Sequence, residues 1–224
     1  MIKRILSVLV ILLGILVFTL PHLVNVAINN TTKTNVDYVK NISAEELKKN
    51  QKRQTTFNFS SVEDIDVNST LIDIGKIDKN LILGELLIPD LNLDLPIIKG
   101  LSKINLLAGA ATMKDGQVMG NGNYSLAGHH MNNKALLFGR LMDIKKGSII
   151  KLTNKIAVYE YMVYETLVVP DTQIDMISDN MAKKKGKPVI SLMTCYHSSK
   201  TEKRFFALGE LVKEYPYSKT LTEK

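Results

Sequence analysis

The stretch SLMTCYHSSKTEKRF, residues 191–205, contains the single cysteine of the chain, Cys195, and an arginine nine positions later, Arg204. The residues up to the cysteine, PVISLMTC (188–195), have the apolar character of a buried strand, and RFFALGELV (204–212) reads as a second strand. Polar residues between them are typical of a turn. Because a hairpin brings the end of its first strand beside the start of its second, we expect Arg204 to lie beside Cys195.

Further strand-like runs precede this hairpin. In ELLIPDLNLDLPII (85–98) leucines alternate with polar residues, the two-residue repeat of a half-buried strand. The other runs are NYSLAGHH (123–130), SIIKLTN (148–154) and IAVYEYMVYETLVV (156–169). Two segments, SKINLLAGA (102–110) and NKALLFGRL (133–141), have the pattern of short helical connections. Strands outnumber helices, which favours an all-β barrel or sandwich.

The N-terminal residues 1–28 have a different character. Lys3 and Arg4 precede a nearly uninterrupted apolar run, Ile5–Ile28, and about 20 such residues suffice to cross the hydrocarbon layer. The alternative is a cleaved signal peptide, whose apolar region is about 7 to 15 residues and ends in a small-x-small site that the residues before Ala27 do not provide. We therefore expect one uncleaved membrane anchor, with the N-terminus in the cytoplasm and the remainder outside.

The polar segment after the anchor reads as a stalk. Within it Ser43 and Glu46 form a capping-box pattern, which predicts a short helix over about 44–54. The chain thus divides into a cytoplasmic tip with the transmembrane anchor (1–28), an extracellular stalk (29–56), a folded domain (57–216) and a polar C-terminal tail (217–224).

Cys195 cannot form an internal disulfide, so outside the cell it is a partner for another chain or a functional thiol. A catalytic thiol needs a partner, because its ordinary pKa of about 8.5 leaves it mostly protonated at neutral pH. His22 lies in the anchor, which leaves His129, His130 and His197. The first two end a predicted strand and the third follows Cys195 by two residues, so spacing alone leaves the choice open.

Arg204 is the third candidate, because a guanidinium beside the thiol favours the thiolate and can donate to an oxyanion. Lys203 is the alternative cation, but strand alternation turns it to the opposite face. The histidines and the cysteine lack the spacing of a metal site, and the region between Gly109 and His129 offers only Asp115 as a calcium ligand. We expect no metal and no other cofactor, and the sequence gives no support for calcium dependence.

These pieces together resemble the sortases, cysteine transpeptidases of the Gram-positive cell surface, and are most similar to class A. The resemblance covers about residues 84–212. Two departures concern geometry: Ser191 replaces the first threonine of the family's T-L-x-T-C motif, and Ala111 replaces the second glycine of L-x-x-G-A-G-T-M. The matching segments are GELLIPDLNLDLPIIKG (84–100), LLAGAATM (106–113), LAGHH (126–130) and SLMTC (191–195), with Arg204 on the following strand.

The resemblance implies an eight-stranded sortase-type β-barrel with short helices after the transmembrane helix. It implies that Cys195 is the nucleophile, His129 the histidine of the A-G-H motif and Arg204 the catalytic arginine. The residues flanking these motifs are implied to line the peptide groove, with a loop over about 170–188 as its wall; they are Ala127, Met193 and Thr194.

The activity implied is cleavage of LPXTG-type sorting signals of surface proteins between Thr and Gly, followed by transfer to an amine of a peptidoglycan precursor. One alternative is an exported cysteine peptidase or amidase without transfer, but papain-like enzymes place the cysteine before the histidine. Another is a non-catalytic, membrane-anchored interaction module in which Cys195 is packing. The net charge of +7 fits a solvated basic surface, and no nucleic-acid partner is expected outside the membrane.

Overall fold

The computed structural model describes residues 2–62, 73–197 and 199–218, so most of the predicted C-terminal tail lies outside the described residues. Its strands are β1 (Ile82–Ile88), β2 (Leu93–Ile98), β3 (Ala110–Thr112), β4 (Asn123–Ala127), β5 (Ile149–Thr153), β6 (Ala157–Pro170), β7 (Val189–Cys195) and β8 (Lys203–Pro216). Its helices are α1 (Ile2–Asn41), α2 (Ala44–Gln51), α3 (Lys103–Ala108) and α4 (Asn180–Lys185).

The eight strands close into a barrel in the order β1-β2-β3-β4-β7-β8-β6-β5. Neighbours are antiparallel except for two parallel pairs, β2 with β3 and β4 with β7. The predicted eight-stranded barrel is confirmed. The parallel pairing of β4 with β7 matters for the site. It brings the carboxyl ends of these two strands to the same end of the barrel.

The run over 85–98, predicted from its alternation to be strand, forms a hairpin of two strands. β1 ends at Ile88, a short turn covers Pro89–Leu91, and β2 begins at Leu93 after Asn92. Asn92 has φ +49°, a left-handed conformation that asparagine tolerates better than most residues. Leu91 therefore belongs to the turn, although its spacing fits the alternation of the strand.

Strand alternation divides the buried residues into two main clusters. One contains residues from all eight strands and fills the barrel; examples are Leu86, Leu95, Ala110, Tyr124, Ile150, Tyr161, Ile190 and Ala207. The other lies on the outer face of β3, β4, β7 and β8, where segments outside the barrel cover it. Residues of β7 alternate between the two clusters. Leu192 belongs to the interior cluster, and Met193 and Cys195 belong to the outer one.

Helix α1 is the one described helix long and apolar enough to cross a membrane. It continues beyond the predicted anchor to Asn41, and from Val24 onward its inner face is buried against the barrel, with Val36 and Val39 well within the segment predicted to be a stalk. α2 follows with the predicted capping box, in which Ser43 Oγ accepts from the Glu46 amide at 3.2 Å.

The two predicted helical connections have different outcomes. Residues 103–108 form α3, whose first turn is capped by the Ser102 side chain. The helix expected over 133–141 is wrong: this segment forms consecutive turns that lead into a short 3-10 turn at Leu141–Asp143. Leu137 has φ +44°, which interrupts any helix there, and Leu136 and Phe138 are buried in the barrel cluster. Tertiary burial accounts for the apolar spacing that suggested a helix.

The junction of α1 with the barrel contains buried charge. Lys155 donates from Nζ to the carbonyls of Lys40 (2.8 Å) and Ile42 (2.7 Å), at the end of α1. Beneath it Glu85 is 1% exposed, and its pKa is raised to about 8, chiefly by burial and also by the neighbouring carboxylate of Asp94, with which it shares a hydrogen bond. The folded protein therefore holds a proton on Glu85 at neutral pH.

Candidate active site

The three predicted catalytic residues lie at or just beyond the ends of β4, β7 and β8. Cys195, the last residue of β7, lies directly opposite Arg204 in the antiparallel ladder with β8. On its other side β7 runs parallel to β4, where Ala127 is aligned with Met193. The Gly128 amide continues this ladder by donating to the Met193 carbonyl at 3.0 Å. If this register continued for two more residues, it would align His129 with Cys195.

The backbone around His129 is held from two sides. Thr194 Oγ1 donates to the Gly128 carbonyl at 2.8 Å, and the His129 carbonyl accepts from the Phe138 amide at 3.1 Å. Gly128 is required because a Cβ there would lie 2.6 Å from the Phe138 ring. His129 itself is 3% exposed. Its position therefore depends on β7 and on the 133–141 turns as much as on its own strand.

A backbone carbonyl occupies the space between the cysteine and the arginine. Cys195 Sγ donates to the Val62 carbonyl at 3.8 Å, and Arg204 Nη2 donates to the same oxygen at 3.4 Å. Cys195 and Val62 are both only 2% exposed. The pair is thus arranged so that one peptide carbonyl can contact the thiol and the guanidinium together.

Arg204 is oriented by a residue that the sequence analysis missed. Its Nη2 lies 3.5 Å from Oδ2 of Asp171, which follows directly on β6, and its Nη1 donates to the Lys203 carbonyl at 3.2 Å. β6 and β8 are paired with Val169 opposite Arg204, which brings Asp171 to this end of the barrel. Lys203, the alternative cation, is exposed. Sequence spacing carries no signal for Asp171, because the pairing of β6 with β8 spans more than thirty residues.

The outer cluster packs apolar residues around Cys195, which is itself one of its members. Ala127 and Met193, two of the predicted groove residues, belong to it. The segment predicted to form the wall, 170–188, packs Met176, Ile177 and Met181 against the same cluster. The wall is tied to the barrel by Ser191, whose hydroxyl donates to the Met176 carbonyl at 2.6 Å. The serine that departs from the family motif thus has a structural role here.

Thr194, the third predicted groove residue, lies on the opposite face of β7 from Met193 and Cys195. Its hydroxyl donates to the Gly128 carbonyl, and its side chain is fully buried. On the neighbouring strand it pairs with Phe205, a residue of the interior cluster.

The other two histidines contact each other. The rings of His130 and His197 are edge to face with centroids 6.1 Å apart, and the His197 ring lies 4.4 Å from that of Tyr196. His197 has φ +62°, so the chain turns sharply directly after β7. Continuation of the strand, on which the pairing of His197 with Cys195 depended, does not occur.

Within the described ranges, no three histidine, cysteine or acidic side chains are grouped closely enough to hold a metal ion. Asp115, the one carboxylate considered as a calcium ligand, is bound by Lys99 Nζ at 3.1 Å, and this hydrogen bond holds the pKa of Asp115 below its ordinary value.

Comparisons with known proteins all give matches to one family. The model of the sortase domain family matches residues 86–212. Sortase A of Listeria monocytogenes is 36% identical over 224 residues, which is 100% of this chain and 98% of the relative. Sortase A of Bacillus anthracis is 35% identical over 173 residues, 77% of this chain and 79% of the relative.

Solved structures give the same result. The crystal structure of Listeria monocytogenes sortase A superimposes with a TM-score of 0.58 at 41% identity, covering 63% of this chain and 94% of that one. Sortase C-3 of Streptococcus pneumoniae superimposes with a TM-score of 0.59 at 20% identity over 83% of this chain and 92% of that one, and at that identity it supports the fold alone.

Proposed function

Because this chain belongs to the sortase family and is a sortase-type transpeptidase, we propose that its substrates are surface proteins with an LPXTG-type signal, cut between Thr and Gly. The observation that carries the proposal is the Val62 carbonyl, which accepts from Cys195 Sγ and Arg204 Nη2 together. A substrate threonine carbonyl in the same place has the nucleophile and an oxyanion donor beside it.

In the first half of the proposed reaction, the Cys195 thiolate attacks the threonine carbonyl carbon and forms a C–S bond. The oxygen becomes an oxyanion that accepts from Arg204. When the C–N bond breaks, His129 as imidazolium gives its proton to the departing glycine amine, which leaves a thioester on Cys195.

In the second half, an incoming primary amine attacks the thioester carbonyl and gives one proton to His129. Collapse of the second tetrahedral intermediate breaks the C–S bond and restores the Cys195 thiolate. Because the entering nitrogen takes the place of the leaving one, His129 serves as acid first and as base second. The proposed acceptor is an amine on a peptidoglycan precursor.

We assign different roles to the predicted groove residues. Ala127 and Met193, which share the outer cluster with Cys195, are proposed to contact the apolar part of the signal. Thr194 is proposed to position His129 through Gly128 and not to touch substrate. Asp171 is proposed to orient Arg204.

The proposed orientation places the barrel outside the cell. The single apolar helix fits a membrane anchor, and Lys3 and Arg4 before the apolar run favour a cytoplasmic N-terminus. We propose that 1–28 anchors the chain and that the catalytic domain covers 57–216. A membrane-impermeant protease added to intact cells is expected to degrade the barrel; full protection would contradict this orientation.

We also propose that catalysis needs no metal, because Asp115 is already bound by Lys99. A chelator is then expected to leave the transfer rate unchanged, and a rate restored only by calcium would contradict this.

The full-length chain in detergent micelles, supplied with an LPXTG peptide and a primary amine, tests the reaction. The expected products are a free Gly-terminal fragment and an amide between the threonine carbonyl and the amine. Acid product alone, at every amine concentration, identifies a peptidase without transfer. An intact peptide and an unreactive thiol identify a non-catalytic module.

A further inference from the structure

A cavity of about 560 Å³ lies between helix α1 and the barrel. On the helix side its lining residues fall within 29–40. On the barrel side they come from the turn and first residues of β2, 91–95, and from the turns over 134–140. None of the three catalytic residues belongs to its wall. The proposed function therefore leaves this cavity unassigned.

The cavity lies directly beyond the end of the apolar run on α1. Ile28 closes that run, and Thr32 and Lys33 follow it by about one helical turn, which is about 6 to 8 Å along the axis. The headgroup layer adds about 5 to 8 Å to each side of the hydrocarbon core. α1 is one continuous helix, and Val24 and Ile28 are already buried against the barrel. The cavity is therefore held at the level of the lipid headgroups.

Four cationic side chains line the cavity against two carboxylates. Two of the cations are paired. Lys40 Nζ lies 3.7 Å from Oδ2 of Asp94, and Lys134 Nζ donates to both carboxylate oxygens of Asp143 at 2.8 Å. These pairs leave little charge for a ligand.

The other two cations are Lys33 and Arg140. Both are exposed, and neither forms an ion pair within the part of the chain that the structure describes. Asp37, one helical turn after Lys33, is the remaining carboxylate. Positive charge is thus in excess at the rim, and a guanidinium beside an ammonium suits the oxygens of a phosphate group.

A buried hydroxyl points to the same kind of ligand. Thr32 lines the cavity and is 8% exposed, and its hydroxyl has no hydrogen-bond partner among the described residues. Elsewhere on α1 such hydroxyls donate to the carbonyl four residues before, as in Ser7 and Thr19, both at 2.9 Å. A buried hydroxyl left without a partner costs free energy. The Thr32 hydroxyl is therefore a donor that a ligand in the cavity can use.

We propose that this cavity binds the phosphate group of an anionic phospholipid in the leaflet on the barrel side of the membrane, through Lys33, Arg140 and the Thr32 hydroxyl. The inference goes beyond the proposed reaction and rests only on the proposed anchor. A phosphate diester has one negative charge and several acceptor oxygens, which match two cations and one hydroxyl donor. Its acyl chains continue into the layer that α1 crosses.

The site lies at the same end of the barrel as Cys195. β2 is parallel to β3, β3 is antiparallel to β4, and β4 is parallel to β7, so the start of β2 and the ends of β4 and β7 share one end. α1 leads from this end to the opposite one, where Val39 packs with Ile82 and Ile98. A lipid bound in the cavity therefore holds the catalytic end of the barrel toward the membrane surface.

The test uses the full-length chain in dodecyl maltoside micelles, which contain no phosphate, and follows thermal unfolding as a ligand is added. A ligand that binds only the folded state raises the Tm, and the dependence on its concentration gives an apparent Kd. Three probes separate the parts of the lipid. Dioctanoyl phosphatidylglycerol has phosphate and acyl chains, dioctanoylglycerol has the acyl chains alone, and inorganic phosphate has none.

The double variant Lys33→Gln, Arg140→Gln removes both unpaired cations. We expect it to raise the apparent Kd for dioctanoyl phosphatidylglycerol about tenfold or more, the loss of two charge-assisted hydrogen bonds. The matched control is Lys48→Gln, Arg53→Gln, which removes the same charges from exposed positions outside the cavity and is expected to retain the wild-type Kd.

Thr32→Val keeps the shape of the side chain and removes the hydroxyl. We expect it to raise the same Kd about two- to tenfold, the loss of one neutral hydrogen bond. Without lipid its Tm should equal or exceed that of the wild type, because the hydroxyl has no partner in the folded chain. A lower Tm without lipid would assign Thr32 to the fold and remove it from the site.

An equal Kd in the wild type and in the Lys33, Arg140 variant overturns the inference. An equal loss in the control variant overturns it too, because net charge and not the cavity is then responsible. The same Tm rise with dioctanoylglycerol or with inorganic phosphate overturns the choice of a phospholipid. A full chain that stays in solution without detergent contradicts the anchor itself, before any lipid is added. None of these measurements depends on thioester formation, so failure of the proposed reaction is recognised separately.

Discussion

Arg204 shows how much of the site depends on one side chain. Its guanidinium contacts Asp171, the Lys203 carbonyl and the Val62 carbonyl, and its Cα lies opposite that of Cys195. Fixed in this way, the donor is already in place for a developing oxyanion, which is the arrangement that stabilises a transition state most effectively. The neighbouring Lys203 is not held in this way, because its side chain is exposed and strand alternation turns it to the opposite face of β8.

Arg204→Ala is therefore expected to slow thioester formation by about 10²- to 10³-fold, the usual effect of losing an oxyanion donor. Lys203→Ala is the matched control and is expected to retain the normal rate. Single-turnover formation of the thioester, followed by mass spectrometry of the full chain, measures both. Equal rates in the two variants would remove Arg204 from the mechanism.

Thr194 tests whether His129 is positioned through the backbone. Thr194→Val keeps the shape of the side chain and removes the hydroxyl that donates to the Gly128 carbonyl. We expect kcat to fall about tenfold with little change in KM for the peptide, because a displaced base affects chemistry more than binding.

Thr153→Val is the control for Thr194→Val. Thr153 is also buried, donates to the Ala157 carbonyl at 2.8 Å and accepts from the Lys155 amide at 3.0 Å, and its strand β5 does not pair with β4, β7 or β8. It should cost similar stability, about 1 to 3 kcal/mol for a buried carbonyl left unpaired, with no loss of kcat. A fall in kcat that merely follows stability in both variants would contradict a positioning role.

At the scale of elements, the segment from Phe57 to Val62 packs on the outer cluster beside Cys195. Phe57 forms a bridge with Leu101 and packs against the outer cluster, and Val62 supplies the carbonyl that contacts Cys195 and Arg204. A peptide carbonyl cannot take that place until Val62 leaves it. Access to the thiol therefore depends on how firmly this segment is packed.

Phe57→Ala is expected to speed alkylation of Cys195 by iodoacetamide several-fold and to lower KM for the donor peptide, because the segment loses an apolar anchor. Phe59→Ala is the matched control, since Phe59 lies in the same segment and is 45% exposed. Alkylation timed by mass spectrometry reports the result. Equal alkylation rates in wild type and both variants would show that the segment does not limit access.

The junction between α1 and the barrel predicts a dependence of stability on pH. The pKa of Glu85 is about 8 in the folded protein against an ordinary 4.5, so the folded state holds a proton that the unfolded chain loses first. The contribution of Glu85 to stability therefore falls as the pH rises between these values and is constant above about pH 8.

Glu85→Gln cannot ionise, so its Tm is expected to rise relative to that of the wild type as the pH increases from about 5 to 8. Glu45→Gln, on the exposed side of α2, should show no such trend. Thermal unfolding of the full chain in micelles at several pH values measures the difference. A Tm difference independent of pH would contradict a protonated Glu85.

For the whole molecule, features that depend on neighbouring residues could be predicted from the sequence, and contacts between distant segments could not. Strand patterns predicted an all-β barrel or sandwich, and the family resemblance specified the eight-stranded barrel. Arg204 was expected beside Cys195 because a hairpin depends on neighbouring segments of the chain. Asp171 could not be predicted, since it reaches Arg204 through the pairing of β6 with β8. The packing of α1 on the barrel was equally hidden, because its apolar residues read as part of a membrane span or a polar stalk.

The choice between His129 and His197 illustrates the same limit. Sequence spacing favoured His129 or His130 over His197 without separating the first two, and the family resemblance selected His129. The parallel pairing of β4 with β7, which ends two residues before His129, supports that choice, and the chain turns sharply at His197.

The most direct test of the account is the mass of the full chain after mixing with an LPXTG peptide. We predict an adduct equal to the peptide cut after threonine, located on Cys195, sensitive to hydroxylamine and converted to an amide product when a primary amine is added. Cys195→Ala should form neither adduct nor product. Undiminished product from Cys195→Ala, or an adduct on any other residue, would contradict the mechanism.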